Sequence, residues 1–161
     1  MHQSTDPFAT IAFVTTAAIA SFITRIDHVG LAVADLDSAK DFYARAFGLK
    51  CVHEEVNEEQ GVREAMLAVG DSGSCIQLLA PLRDDSPIGK FLARNGEGIQ
   101  QMAYTVTDID EACEHLRGAG VRVLYDVPKN GTASSRVNFV HPKDAGGVLI
   151  ELVEPASSRE H

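Results

Sequence analysis

Four polar residues occupy matched positions in apolar stretches, and their types are those of metal ligands. His28 and Gln101 lie 73 residues apart (101 − 28 = 73), early in two similar stretches. Gln77 and Glu151 lie 74 apart (151 − 77 = 74), in two further similar stretches. One imidazole, one carboxylate and two amide oxygens suit an open six-coordinate divalent ion better than a closed structural zinc site, which usually takes Cys and His. The sequence therefore predicts a divalent metal site at these four side chains.

The alternation of residue types predicts that these side chains point the same way. In the strand that contains His28, the bulky residues Val29, Leu31 and Val33 fall on one face. His28 falls on the other face with small neighbours. The bulky face belongs under a helix, which leaves room for a ligand beside His28. The same alternation in the other three stretches predicts one shared concavity.

The matched spacing also predicts an internal duplication. Each half reads as a strand, a helix and three more strands, with Asp35 and Asp108 as helix N-caps. The predicted fold is α+β, with two tandem βαβββ modules related by a pseudo-twofold that form a curved mixed sheet around a metal-containing cavity. The predicted boundaries are an N-terminal extension at 1–23, a single domain at 24–155 (modules 24–81 and 98–155, connector 82–97) and a polar tail at 156–161.

The second module is predicted to contain strands at Val121–Tyr125, Arg136–His141 and Val148–Val153. These follow a helix that begins at Asp108 and stops around the glycines Gly118 and Gly120. The order of elements then repeats that of the first module.

Glu64 is the candidate general base. It lies on the predicted strand Val62–Val69, where the neighbours on its own face are apolar. A carboxyl group among apolar side chains is expected to have a raised pKa, which suits a proton carrier. A shift of 74 places Glu64 on Asn138 (64 + 74 = 138). The duplication is therefore predicted to lack a second carboxylate at the matching place.

Composition limits the classes of partner. The chain has 161 residues, 45% of them hydrophobic, and a formal net charge of −9, which disfavours nucleic acid and anionic membrane surfaces. Three cysteines without a close pair favour a reducing, cytoplasmic setting. The uncharged run Phe8–Ile23 is short for a membrane span, and no Lys or Arg precedes it. It is predicted to pack on the domain or on a second subunit.

Four sequence features carry a family resemblance. His28 in the first strand and Ile150-Glu151-Leu152 in the last resemble the vicinal oxygen chelate (glyoxalase/bleomycin resistance/dioxygenase) superfamily, over nearly all of residues 24–155. The longer stretches Asn57–Met66 and His141–Asp144 are similar to its methylmalonyl-CoA epimerase members. The resemblance implies a cytoplasmic, often dimeric enzyme that interconverts (2R)- and (2S)-methylmalonyl-CoA. It assigns the metal ligands to His28, Gln77, Gln101 and Glu151 and the base to Glu64.

One ligand position departs from the family pattern, which usually has His where Gln101 stands. The identity of the divalent cation therefore stays open among Co, Mn, Mg, Ni and Zn. Gln100 is the alternative in register, although the match with His28 favours Gln101. Lys143 and Arg136 are candidates to bind the phosphates of a coenzyme A substrate.

Other activities use the same fold. A glyoxalase I-like lactoylglutathione lyase would share the metal and the enolate chemistry. A metal-free protein that sequesters a small molecule would share only the concavity. An extradiol dioxygenase needs two His and one carboxylate as iron ligands, and only His28 stands at the four ligand positions.

Overall fold

The computed structural model describes residues 21–156, so most of the predicted extension and the tail beyond residue 156 lie outside the described residues. Within 21–156 the chain forms eight strands and three α-helices. The strands are β1 (Ile23–Ala32), β2 (Cys51–Asn57), β3 (Val62–Ala68), β4 (Cys75–Pro81), β5 (Gly98–Val106), β6 (Lys129–Asn130), β7 (Arg136–Val140) and β8 (Leu149–Glu154); the helices are α1 (Leu36–Phe47), α2 (Pro87–Asn95) and α3 (Ile109–Gly118).

All eight strands belong to one mixed sheet, in the order β2-β3-β4-β1-β5-β8-β7-β6. β1 pairs in parallel with β4, and β5 pairs in parallel with β8. The two halves meet where β1 and β5 pair antiparallel at the centre. The order of strands in one half therefore mirrors the order in the other. The predicted α+β fold, with its doubled, curved mixed sheet, is confirmed.

The helix ends are set by the residues that the sequence indicates. The Asp35 side chain accepts a hydrogen bond from the Ser38 amide at 2.8 Å, and Asp108 accepts one from the Glu111 amide at 2.9 Å. Each bond satisfies an amide that the first helical turn leaves unpaired. Gly48 ends α1 with φ of 66°, a left-handed conformation that glycine adopts without steric cost.

The apolar cores lie on the helix side of the sheet. α1 packs on one half, where Leu67 and Leu78 are almost fully buried. α3 packs on the other half, where Ile109 and Leu152 are buried in the same way. Burial of these side chains fixes which face of each strand is turned away from the helices. The residues that alternate with them are therefore held on the concave face.

The predicted strand at Val121–Tyr125 is wrong as a regular strand. Val123 forms only an isolated bridge with Val140. Beyond it the Asn138 side chain takes the place of a strand partner: its Oδ1 accepts from the Tyr125 amide at 3.2 Å, and its Nδ2 donates to the Tyr125 carbonyl at 2.9 Å. A side chain pairs with the backbone here, so no continuous ladder forms.

The predicted match between Glu64 and Asn138 is also wrong by one residue. Glu64 pairs with Leu79 across β3 and β4, and Val137 pairs with Val153 across β7 and β8. Val137 is thus the equivalent of Glu64, at a shift of 73 (137 − 64 = 73). Val137 and its partner Val153 are 16 residues apart (153 − 137 = 16), whereas Glu64 and its partner Leu79 are 15 apart (79 − 64 = 15). The second module therefore has one extra residue between these positions, which is why β8 is shifted by 74 and β7 by 73.

We expect Asn138→Ala to lower the free energy of unfolding by about 1–3 kcal/mol. Asn138 is fully buried, and its removal leaves the Tyr125 amide and carbonyl without their partner. Urea unfolding followed by circular dichroism measures the change. Asn130→Ala on the exposed strand β6 is the control, and equal midpoints for the two variants would contradict the role given to Asn138.

Candidate active site

The four predicted metal ligands meet at one point on the concave face. His28 Nε2 lies 3.0 Å from Glu151 Oε2. The Gln101 amide nitrogen lies 2.8 Å from Glu151 Oε2 and 3.0 Å from Gln77 Oε1. All four side chains are buried. The strands β1, β4, β5 and β8, which supply one residue each, are the four central strands of the sheet.

The donor set of this cluster fits a cation. The Gln101 amide nitrogen lies 2.8 Å from Glu151 Oε2, 3.0 Å from Gln77 Oε1 and 3.4 Å from His28 Nε2. The two oxygens are acceptors, and the imidazole nitrogen becomes a possible metal ligand when His28 is deprotonated. A group with positive charge is what such convergent acceptors favour. Within 21–156 no group of three His, Cys, Asp or Glu side chains is placed to hold a metal ion. The site therefore needs the two amide oxygens beside the imidazole and the carboxylate.

A β-bulge and a glycine place Gln101 in the cluster. The pairing of β1 with β5 shifts between Gly30–Gln101 and Leu31–Ile99, so Gln100 is the extra residue. Because of the bulge, Gln100 and Gln101 both line the cavity. A Cβ on Gly30 would lie 2.5 Å from Gln101 Cγ, which explains why the position has no side chain. The structure resolves the choice in register by putting Gln101 in the cluster.

The second ring nitrogen of His28, Nδ1, also has a carboxylate partner. Its Nδ1 lies 2.8 Å from Asp27 Oδ1, while Thr105 Oγ1 donates to Asp27 Oδ2 at 2.6 Å. Burial alone lowers the pKa of His28, but the hydrogen bonds and charges of Asp27 and Glu151 outweigh it and raise the pKa to about 9. Such a carboxylate partner orients a ligand imidazole so that the other nitrogen faces the metal. Asp27 is not among the residues predicted from the sequence.

Glu64 lies beside the cluster. The side chain is on the same face as the four ligands, only 4% of its residue surface is exposed, and its Oε2 accepts from Gln77 Nε2 at 3.0 Å. Burial is the main cause that raises the pKa of Glu64 to about 7, and the charges of Glu55 and Glu151 add to it, against the hydrogen bond from Thr132. A carboxyl group with this pKa exchanges protons readily near neutral pH.

Thr132 is a site residue that sequence reasoning missed. Its hydroxyl donates to Glu64 Oε1 at 2.5 Å and accepts from Gln77 Nε2 at 3.3 Å. It begins a short 3₁₀ turn in which Ala133 and Ser134 have φ of 53° and 61°. Nothing in the local sequence signals that this turn folds across the concave face. The contact spans 68 residues and depends on the closure of the sheet.

Two cavities open beside the cluster and share Thr132 and Glu151. The main cavity, of about 300 Å³, is lined by Glu64, Gln77, Gln101, Tyr125 and Phe139 among others. The side cavity, of about 260 Å³, is lined by Arg25, His28, His53, Met66 and Ser135 among others. Both reach the cluster, so it is accessible from two directions.

One polar atom of the main cavity is available to a ligand. Gln100 Oε1 is buried and has no hydrogen-bond partner among the described residues. A buried acceptor of this kind carries a desolvation cost until a donor reaches it. A ligand with an N–H or O–H group at that depth would satisfy it.

The two cations predicted to bind substrate are not brought into this cluster. The Arg136 guanidinium pairs with Asp110 on α3 at 2.9 Å and with Glu154 at 3.5 Å. It therefore lies on the helix side of the sheet, away from the concave face. Lys143 lies exposed in the turn Pro142–Asp144 and does not line either cavity.

Comparison with known proteins agrees with the fold. The chain belongs to the Glyoxalase/Bleomycin resistance protein/Dioxygenase superfamily, which residues 27–139 match. Within it, the crystal structure of methylmalonyl-CoA epimerase from Mycobacterium tuberculosis is 58% identical, with a TM-score of 0.82 over 84% of this chain and 91% of that one.

Two further relatives carry related names. A methylmalonyl-CoA epimerase solved in complex with methylmalonyl-CoA and NH4+ is 51% identical, with a TM-score of 0.82 over 84% of this chain and 97% of that one. The ethylmalonyl-CoA/methylmalonyl-CoA epimerase of Cereibacter sphaeroides is 38% identical over 132 residues, or 81% of this chain and 97% of the relative.

Proposed function

We propose that this protein catalyses the interconversion of (2R)- and (2S)-methylmalonyl-CoA by removing and returning the proton at C2. The observation that carries the proposal is the position of Glu64, a buried carboxyl group that accepts from Gln77 beside the four clustered side chains. Burial raises the pKa of this carboxyl group to about 7. A base for a carbon acid must lie within reach of the substrate and must be ionised at the working pH. Glu64 meets both conditions on the wall of the main cavity.

The residues of the site have separate roles in this reaction. His28, Gln77, Gln101 and Glu151 would hold a divalent cation (Co, Mn, Mg, Ni or Zn), and Asp27 orients His28. Such a cation supplies positive charge where the thioester oxygen becomes negative after proton loss. Glu64 takes the C2 proton, and Thr132 keeps its carboxyl group in place.

The test of this proposal is the exchange of the C2 proton of methylmalonyl-CoA in deuterated water, with the unmodified protein loaded with each candidate cation. We expect exchange together with epimerisation. Turnover of methylglyoxal with glutathione, and none of methylmalonyl-CoA, would instead identify a lactoylglutathione lyase. Calorimetry that finds no stoichiometric cation binding, with no exchange, would identify a metal-free sequestering protein.

The rate of exchange should depend on pH through Glu64. The carboxylate is the active form, so we expect kcat/KM to rise about tenfold per pH unit below about pH 7 and to level off above it. An ordinary glutamate, with a pKa near 4.5, would give a level profile over the same range. A profile that is flat from pH 5.5 upwards would contradict the role given to the buried carboxyl, because by then an ordinary carboxyl is about nine-tenths ionised.

We also propose that the protein acts as a cytoplasmic homodimer. Cys51, Cys75 and Cys113 are free thiols, as a reducing compartment maintains. Among residues 21–156, no helix combines the length and the hydropathy needed to cross a bilayer. Phe42, Phe47 and other large apolar side chains are exposed, and a second subunit would cover such surface. Light scattering coupled to size-exclusion chromatography measures the mass in solution.

A further inference from the structure

A base that takes a proton in each turnover must lose it again before the next turnover, and Glu64 is buried. Its direct neighbours on the concave face are Gln77 and Thr132, and the amide nitrogen of Gln77 cannot accept a proton. The route by which Glu64 exchanges its proton with solvent must therefore start on another side of the carboxyl group. That side faces strand β2.

Glu55 stands directly across from Glu64. The two residues are cross-strand partners in the antiparallel pair β2–β3, so their side chains lie side by side on one face of the sheet. Glu55 Oε2 also accepts from the Ala133 amide at 3.3 Å, in the same turn that presents Thr132 to Glu64. Two carboxyl groups placed in this way can pass one proton between them, because either can donate when protonated and accept when ionised.

His53 lies beside Glu55 on the side that is nearer to solvent. Its Nε2 lies 2.5 Å from Glu55 Oε2, two residues back along the same face of β2. The exposed fraction of the side chain is 37% for His53 and 29% for Glu55, against full burial of Glu64. His53 also lines the side cavity, which lies beside Thr132 and Ala133. Imidazole is the side chain best suited to pass protons to water near neutral pH.

We propose that Glu55 and His53 form a proton path that connects Glu64 to solvent at the side cavity. The inference rests on the proposed function, since it gives Glu64 its role as base. The C2 proton passes to the Glu64 carboxylate, from Glu64 to the Glu55 carboxylate, from Glu55 to His53 Nε2, and from the other ring nitrogen to water. The enolate takes its new proton on the opposite face of C2 from water that enters by the main cavity, so one proton is lost and one is gained in each turnover. Glu64 is then ionised again, and the path runs backwards when the reaction is reversed.

The test separates the first turnover from later ones in rapid-quench exchange of methylmalonyl-CoA in deuterated water. We expect Glu55→Gln to exchange one proton per site at close to the unmodified rate and then to continue at least about tenfold more slowly, since only the return of Glu64 to its ionised form is impaired. His53→Gln should show the same burst, and imidazole in the buffer should restore its later turnovers. The unmodified protein should not respond to imidazole.

Glu54→Gln is the matched control. Glu54 is the neighbour of Glu55 on the opposite face of β2, where it pairs with Lys40 and Arg63 outside the cavity. It should show no burst. A Glu55→Gln protein that keeps the full steady rate, or one whose first and later turnovers fall together, would overturn the path, as would a His53→Gln protein that imidazole does not rescue. An unmodified protein that exchanges no C2 proton would instead overturn the proposed function itself.

Discussion

Replacing Glu64 by Gln is expected to lower the rate of C2–H exchange of methylmalonyl-CoA by about 10²- to 10⁴-fold. The amide keeps the size of the side chain but has no basic oxygen that could take the proton. Thr132 can still donate to the side-chain oxygen, so the local structure should persist. Cation binding should also persist, because Glu64 is a neighbour of the cluster and not a member of it.

The measurement combines exchange in deuterated water with calorimetric titration of the cation on the same sample. Glu58→Gln is the matched control, because Glu58 carries the same charge on the exposed turn between β2 and β3. A variant that binds the cation and exchanges the proton at the unmodified rate would remove Glu64 from the mechanism. Loss of both properties together would show that Glu64 acts by holding the cluster.

Much of the site could be predicted because the duplication encodes it. His28 and Gln101 repeat in one pair of strands, and Gln77 and Glu151 repeat in the other. Strand alternation then fixes the face of each side chain, since a shift by one residue would turn the bulky neighbours away from the helices. The structure brings all four to one point, as this reasoning predicted.

The parts that could not be predicted depend on single insertions and on long-range closure. The bulge at Gln100 and the extra residue between β7 and β8 each change the register by one, and neither has a signature in the residue types. Thr132 reaches Glu64 only because the sheet curves until its two halves face each other. The charge of Arg136 favours a contact with substrate phosphates, whereas its place in β7 turns the side chain toward Asp110.

Replacing His28 by Ala is expected to weaken divalent cation binding by about 100-fold or more, since the loss of a mere outer partner of a ligand already costs 10- to 100-fold. Activity should fall with it. The variant removes the one imidazole of the cluster and leaves the buried Glu151 carboxylate without that partner. Titration with Co²⁺ and Mn²⁺ measures the affinity, and exchange in deuterated water measures the activity of the same preparation.

The two readouts together decide what the cluster does. His115→Ala on α3 is the control, because His115 lies outside both cavities. His28→Gln keeps a polar partner for Glu151, so a loss of affinity common to both His28 variants would belong to the missing imidazole and not to misfolding. If instead the chelated, cation-free protein exchanged the C2 proton at the full rate, the positive charge that stabilises the enolate would have to come from the protein itself. The protonated His28 beside Glu151 would then be the group to examine, because its pKa of about 9 keeps it charged at neutral pH.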